Sequence, residues 1–238
     1  FIKSVEEQSL KLADSVFGQT VSGKWVYESE VIDYVEEDLF MIPDLSTIRK
    51  IPWNKEPTAQ IICDLQYSDS SPSEIAPRQV LKKIIKLLEK EEMEAVVAPE
   101  LEFYLCEQNL DPDLPLKTPV GKSGRRESGS RVFGIDAVNE FDTLTDDIYD
   151  YCEILKIGVD TLIHESGPSQ IEINLNHGAP LALADQAFMF KRAVRQVALK
   201  HGIHATFMAK PYQGHPGSSM HIHQNLVSMK SKKNLFCN

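Results

Sequence analysis

Apolar residues over the first 66 positions come in short runs cut by Gly and Pro, such as Lys24-Trp25-Val26-Tyr27 and Gln60-Ile61-Ile62-Cys63-Asp64-Leu65. That pattern suits short strands and predicts a small, mostly β unit. The small polar stretch Tyr67-Ser68-Asp69-Ser70-Ser71-Pro72-Ser73 reads as a linker or exposed loop and places a domain boundary between residues 70 and 71. From Pro77 onward the period changes: Val80, Ile84, Ile85, Leu87 and Leu88 recur at helical spacing, and Lys82, Lys83, Lys86, Glu89 and Lys90 take the wet side. An amphipathic helix over 77–93 follows, with Pro77 near its N-terminal end. Residues 94–105 (EAVVAPELEFYL) predict a strand broken at Pro99, and a polar loop over 107–130 is long enough to suggest a function of its own. Further on, the spacing predicts a helix over 146–157, then strands over 161–164 and 170–175 joined by a hairpin-like turn at Gly167-Pro168. The clearest helix spans 182–200, with Ala187, Phe190, Val194, Val197 and Ala198 on one face and Gly202 as a C-cap, before strands over 205–208 and 219–226.

These elements amount to an α+β protein of two domains, and a chain of 238 residues with 42% hydrophobic and 25% charged positions can bury cores for both. Its net charge of −10 repels a phosphate backbone and an anionic membrane surface, which argues against nucleic-acid and membrane partners. No charged-then-apolar leader and no run of eighteen apolar residues is present in these letters. The four cysteines, Cys63, Cys106, Cys152 and Cys237, form no C-x-x-C pair, so a zinc knuckle or disulfide framework is not expected and a reducing, cytoplasmic compartment fits. Beginning at Phe1 and ending at Asn238 in what reads as an unfinished turn, the chain is expected to be a fragment.

Three clusters carry candidate chemistry. Glu100-Leu101-Glu102 lies in an apolar strand, where residues i and i+2 share a face roughly 6–7 Å apart. Two carboxylates that close repel unless a cation or basic partner joins them, although the pattern alone also fits a strand with a solvated Glu face. Glu165 and Glu172 flank Ser166-Gly167-Pro168-Ser169, so they sit at a strand end and on the next strand; alone, they could be two surface acids beside a turn. His221-Ile222-His223 is another i, i+2 pair, preceded by the small-residue run Gly214-His215-Pro216-Gly217-Ser218-Ser219, whose backbone amides suit a phosphate or carboxylate ligand. Taken together, four carboxylates and an imidazole without any thiolate suit Mg²⁺ or Mn²⁺ better than zinc or copper. Four acids exceed what one ion requires, so two or more ions clamping ATP phosphates is the natural reading.

The same residues resemble the glutamine synthetase family. The resemblance is carried, in order, by Pro43-Asp44-Leu45-Ser46-Thr47-Ile48-Arg49, Pro99-Glu100-Leu101-Glu102-Phe103, Glu165 to Glu172 with Gln170 between them, Ala205-Thr206-Phe207-Met208-Ala209-Lys210-Pro211 and Met220-His221-Ile222-His223. It runs from about Val31 to the end and is nearest in flavour to the γ-glutamylpolyamine synthetase branch, through Met208-Ala209-Lys210-Pro211-Tyr212 and Glu172-Ile173-Asn174-Leu175. It implies a β-grasp-like N-terminal domain over 1–70, incomplete at its start. Over 71–238 it implies a partial catalytic domain with a curved antiparallel sheet and flanking helices. Glu102, Glu165 and Glu172 would hold the metal that organises the substrate carboxylate, and Glu100 and His221 the metal at the ATP phosphates. His223 would touch the phosphates, Asn225 stands at a nucleotide-side position, and Gly217 matches the glycine that receives glutamate. The implied reaction forms a γ-glutamyl phosphate from glutamate and ATP and then an amide with an amine, expected to be a polyamine. The implied assembly is a ring-shaped homo-oligomer.

Departures from the family pattern sharpen these expectations. Pro216-Gly217-Ser218-Ser219 replaces the usual Asn-Gly-Ser-Gly, Asn225 stands where a hydroxyl commonly follows the second histidine, and Gly18-Gln19-Thr20-Val21-Ser22-Gly23 offers no counterpart to the acidic loop that serves the ammonium site. A bulkier amine than ammonia is therefore favoured. The family's later arginines, flap glutamate and last metal-ligand glutamate have no match before Asn238, so this chain by itself is expected to be inactive. Alternatives are a glutamine synthetase proper using ammonia, a non-catalytic structural or binding relative, and a guanidino kinase, against which the complete E-x-E and H-x-H pairs argue.

Overall fold

A computed structural model describes residues 10–26, 37–111, 113–129 and 131–237. In chain order its elements are β1 (Lys11–Ala13), a 3-10 turn (Asp14–Gly18), β2 (Asp38–Lys50), β3 (Ala59–Gln66), α1 (Pro77–Lys90), β4 (Met93–Glu107), α2 (Ile135–Asn139), α3 (Asp142–Leu155), β5 (Val159–His164), β6 (Gln170–Leu175), α4 (Pro180–Lys200), β7 (Ile203–Thr206) and β8 (Met220–Ser228). The described residues fall into two compact units, one from 10–26, 37–49, 59–94 and 228–232, the other from 50–58, 95–111, 113–129, 131–227 and 233–237. Tyr27 and the Val31 start of the resemblance lie outside the described residues.

The first unit is a three-stranded sheet in the order β1-β2-β3 with α1 against β3, around a core of Leu39, Leu65 and Ala76. The residues read as a linker turn tightly here, with Tyr67 N–H donating to Ser71 O at 2.8 Å and Ser73 fully buried. No residue of α1 is buried, so hydrophobic packing alone does not hold it. Ion pairs add to the half-buried Leu81, Ile85 and Leu88: Arg78 reaches Asp44 at 2.6 Å and Asp64 at 2.5 Å, and Lys82 pairs with Asp64. Asp44 also accepts from the Ser46 hydroxyl at 2.6 Å, and this bond, then Arg78, holds its carboxyl below the usual 3.8.

The second unit is a sheet in the order β5-β6-β4-β7, with β8 also pairing with β4. Strand β4 is its centre, and alternation divides β4 into two faces. Leu101, Phe103 and Leu105 point one way, and the Phe103 ring meets Phe190 of α4 at 6.4 Å and Phe207 at 5.2 Å. Glu100, Glu102, Tyr104 and Cys106 point the other way. Helix α4 buries Leu183, Ala187, Phe190, Val194 and Val197 along one stripe, and Gly202, just past its end, takes φ +72° as a left-handed C-cap.

The expected α+β class, with a small sheet preceding a mixed unit of antiparallel sheet and helices, is what the structure shows. Several local expectations change. Pro99 does not break β4, because it falls between the Val97–Gly178 bridge and the ladder that begins at Glu100–Asn174, where no amide is required of it. Helix α3 starts at Asp142, ahead of the expected 146, since buried Leu144 and Thr145 continue the stripe of Ile148, Cys152 and Leu155. The short helix α2 was not expected from the pattern, and Trp25 forms only an isolated bridge with Gln19.

Replacing Arg78 by Ala strands two half-buried carboxylates, of which only Asp64 retains Lys82. The expected loss is on the order of 2 kcal/mol in denaturant unfolding, below the roughly 3–5 kcal/mol of a fully buried pair because the partners keep some solvent. Because the folded carboxyl of Asp44 titrates below 3.8, its contribution is present above that pH and is lost as pH falls through the depressed value, so the acid limb of the stability profile should flatten in R78A.

Candidate metal centre

The register of β4 against β6 sets Glu100 opposite Asn174, Glu102 opposite Glu172 and Tyr104 opposite Gln170. Directly opposed side chains have Cβ atoms about 4.5–5.5 Å apart, so Glu102 and Glu172 are forced together as like charges. Both are buried, at 7% and 6% exposure. Burial pushes the Glu172 carboxyl up from its ordinary 4.5, and the charges of Glu100, Glu165 and Glu102 push it further. Among the described residues no Lys or Arg forms a salt bridge with Glu102, Glu165 or Glu172; the basic groups that reach the cluster are imidazoles, on Glu100.

Those imidazoles come from β8. As i, i+2 neighbours, His221 and His223 turn to the same side and both meet Glu100: His221 Nδ1 lies 3.3 Å from Oε2, and His223 Nε2 lies 2.9 Å from Oε1. Ligand atoms of Glu100, Glu172 and His221 lie within 4.8 Å of one another. Two carboxylate oxygens and one imidazole nitrogen make a donor set that a hard divalent cation accepts, and a cation there would relieve the repulsion that raises Glu172. The residues present therefore fit the metal that the motifs implied. The trio joins Glu172, expected with the substrate-side metal, to the Glu100 and His221 expected at the phosphates.

Glu102 is held by hydrogen bonds. Its Oε2 accepts from Gln170 Nε2 at 2.8 Å and from the Ser219 amide at 3.1 Å. Glu165, just past β5, accepts the Ser166 amide at 3.1 Å, and its charge acts on both Glu172 and Tyr104. Burial, then Glu102 and Glu165, push the Tyr104 phenol up to about 12, and its hydroxyl donates to Pro216 O at 2.7 Å. Gly217 follows in the same loop: a Cβ there would sit 2.6 Å from Ala209 O, so only glycine fits, and its carbonyl accepts from Gln170 Nε2 at 2.9 Å. Asn225 is not part of this cluster of contacts; it is exposed, and its Oδ1 accepts from Asn234 at 3.0 Å.

Sequence reasoning gave no role to Gln170, whose side-chain amide is fully buried and links Glu102 to the Gly217 loop while its Oε1 accepts the Gly167 amide at 2.8 Å. Its position two residues before Glu172 on the same strand face was the available signal. Gly167 itself must lack a side chain, because a Cβ would overlap the Tyr104 ring.

The family described as glutamine synthetase, catalytic domain, matches residues 74–238. A γ-glutamylputrescine synthetase of Escherichia coli is 35% identical over 222 residues, covering 92% of this chain and 46% of that protein. A glutamate–isopropylamine ligase of a Pseudomonas species is 31% identical over 241 residues, covering 96% and 50%. A glutamine synthetase of Methanocaldococcus jannaschii is 34% identical over 212 residues, covering 86% and 45%. Among solved structures, a complex of GmaS with ADP superposes with a TM-score of 0.78 at 22% identity, covering 99% of this chain and 50% of that one, a likeness of fold. The chain spans about half the length of the curated relatives it matches. With 165 of its 238 residues inside the family match, the chain belongs to the glutamine synthetase family.

Proposed function

We propose that this protein is an ATP-dependent ligase that joins the γ-carboxylate of glutamate to a primary amine, a polyamine being the favoured acceptor. The observation that carries the reading is the buried, like-charged Glu102–Glu172 pair with Glu100 and His221 beside it. The family implies ATP and a divalent metal; we propose Mg²⁺ or Mn²⁺, with Glu102, Glu165 and Glu172 holding it on the substrate side and Glu100 and His221 on the phosphate side. Bound cations would neutralise the charge of the triphosphate and of the glutamate carboxylate. Glu100 orients both imidazoles, which leaves exposed His223 to meet the phosphates. For Asn225 the amide nitrogen is the group left for a nucleotide, since its oxygen is engaged by Asn234. The close packing at Gly217 fixes the backbone that would receive glutamate.

In the proposed sequence the γ-carboxylate attacks the γ-phosphorus of ATP, the bond to ADP breaks, and an acyl phosphate forms. The amine then attacks the acyl carbon, the carbon–oxygen bond to phosphate breaks, and the amine nitrogen gives up a proton to the departing phosphate or to water. Support for an amine comes from the relatives named for putrescine and isopropylamine; the similarly distant glutamine synthetase keeps ammonia as the second reading. We further propose a functional division at 70/71, supported by a family match that starts at residue 74, and a ring-shaped homo-oligomer in the cytoplasm. No helix among the described residues is long and apolar enough to cross a membrane, and all four cysteines are free thiols, with burial pushing Cys106 up to about 11 and Cys152 up to about 12.

The functional test is ADP release by the full-length protein with glutamate, Mn²⁺ or Mg²⁺ and a panel of amines. Amine-dependent release is expected, stronger with diamines than with ammonia. E100Q and H221A should each lower it by at least about a hundredfold, the usual scale for loss of electrostatic stabilisation. Ammonia as the best acceptor would select the second reading, and no release with any acceptor would contradict the ligase. The Glu172 carboxyl titrates above its unfolded value, so the metal-free fold binds more protons than the unfolded chain between those values and loses stability as pH rises through that window. E172Q should therefore be more stable than the parent at pH 7 without metal and should lose the stabilisation that Mn²⁺ gives the parent, as read by denaturant unfolding.

A further inference from the structure

The long segment after β4 is held by contacts to β4, to Tyr212 and within itself. Leu116 packs on Tyr104, Cys106 and Tyr212, the Glu107 amide donates to Lys117 O at 2.9 Å, and Arg126 binds Glu107 and the Thr118 carbonyl. The Thr118 hydroxyl fixes the Glu127 backbone by donating to its carbonyl at 3.1 Å. The Glu127 side chain does something else. Only 10% exposed, its carboxylate accepts the Ser169 amide at 2.6 Å through Oε2, and the same oxygen faces His164 Nε2 at 2.9 Å. Oε1 is buried and has no hydrogen-bond partner among the described residues. Neither oxygen serves the loop that carries it.

Both contacts fall on the turn between β5 and β6. Ser169 is held at φ +57°, a left-handed conformation unusual for a residue with a side chain, and because it is fully buried its amide needs a fixed acceptor. His164 is 1% exposed, and its second ring nitrogen lies 2.8 Å from the Glu165 carbonyl. The turn thus has Glu165 at one end and Gln170, which holds Glu102 and Gly217, at the other. We infer that Glu127 is a positioning residue, and that the long loop serves to lock the 164–170 turn so that Glu165 and Gln170 are aimed at the carboxylate cluster.

This inference rests on the proposed metal reading of that cluster. Groups that orient metal ligands from behind typically contribute about 10–100-fold to metal affinity. The experiment titrates Mn²⁺ into the full-length protein, following free Mn²⁺ by electron paramagnetic resonance, for the parent, E127A and E127Q, with metal-free unfolding midpoints measured beside it. E127A should bind Mn²⁺ about tenfold more weakly. E127Q, whose amide oxygen can still accept from Ser169, should fall between the two and keep a near-parental unfolding midpoint. Parental affinity in E127A, or no recovery in E127Q over E127A, would overturn the inference. If E127A does not fold, E127Q decides alone: weaker binding than the parent supports the role, and parental binding overturns it. A parent that binds no Mn²⁺ would remove the metal reading itself, whereas tight parental binding untouched by E127A would remove only the role of Glu127.

Discussion

Two glutamates face each other across adjacent strands in a buried sheet, and the rest of the second unit is arranged around that repulsion. The opposite face of β4 explains why it cannot be escaped. Leu101, Phe103 and Leu105 are almost wholly buried, with Phe103 against α4, so a slip of one residue would drive carboxylates into the apolar layer and bring leucines into the cluster. Packing beneath the sheet thereby enforces electrostatic conflict above it. Gln170 and the Ser219 amide satisfy Glu102, whereas burial and then the neighbouring carboxylates push the pKa of Glu172 up, next to Glu100 and His221.

That residual conflict couples stability to ligation. A group kept out of its preferred ionisation state by neighbours of the same sign is stabilised by whatever positive charge arrives, and binding of a cation to the folded state alone shifts the folding equilibrium in its favour. The loops around the cluster are tied to their surroundings: Tyr104 bonds the Pro216 carbonyl, Gly217 packs on Ala209, and Glu127 accepts the Ser169 amide in the β5–β6 turn. The small N-terminal unit follows different physics. Its helix is attached by a partly screened charge network on Asp44 and Asp64, which gives a structural reason for Asp44 in the Pro43–Arg49 motif.

Much of this was legible from the letters because period-two patterns carry direction. Glu100 and Glu102, and likewise His221 and His223, were expected to share a face, and both histidines do reach Glu100. Gly167-Pro168 announced the turn that separates Glu165 from Glu172, and β5 and β6 pair antiparallel across it. Pro99 misled, because a proline interrupts a strand only where its missing amide is needed. The start of α3 was hidden because only Leu144 and Thr145 of its first turn are buried, and α2 because its five residues bury Ala137 alone, too little for a helical stripe. Glu127 had no periodicity to mark it: its hydrogen-bond partners lie 37 and 42 positions away, a pairing set by tertiary structure.

Whether the cluster holds divalent cations is decided by anomalous diffraction from Mn²⁺-soaked crystals of the full-length protein. An anomalous peak is expected in contact with Glu100, Glu172 and His221, with a further one on the Glu102 and Glu165 side. Crystals that show saturating Mn²⁺ elsewhere, with these side chains unliganded, would contradict it.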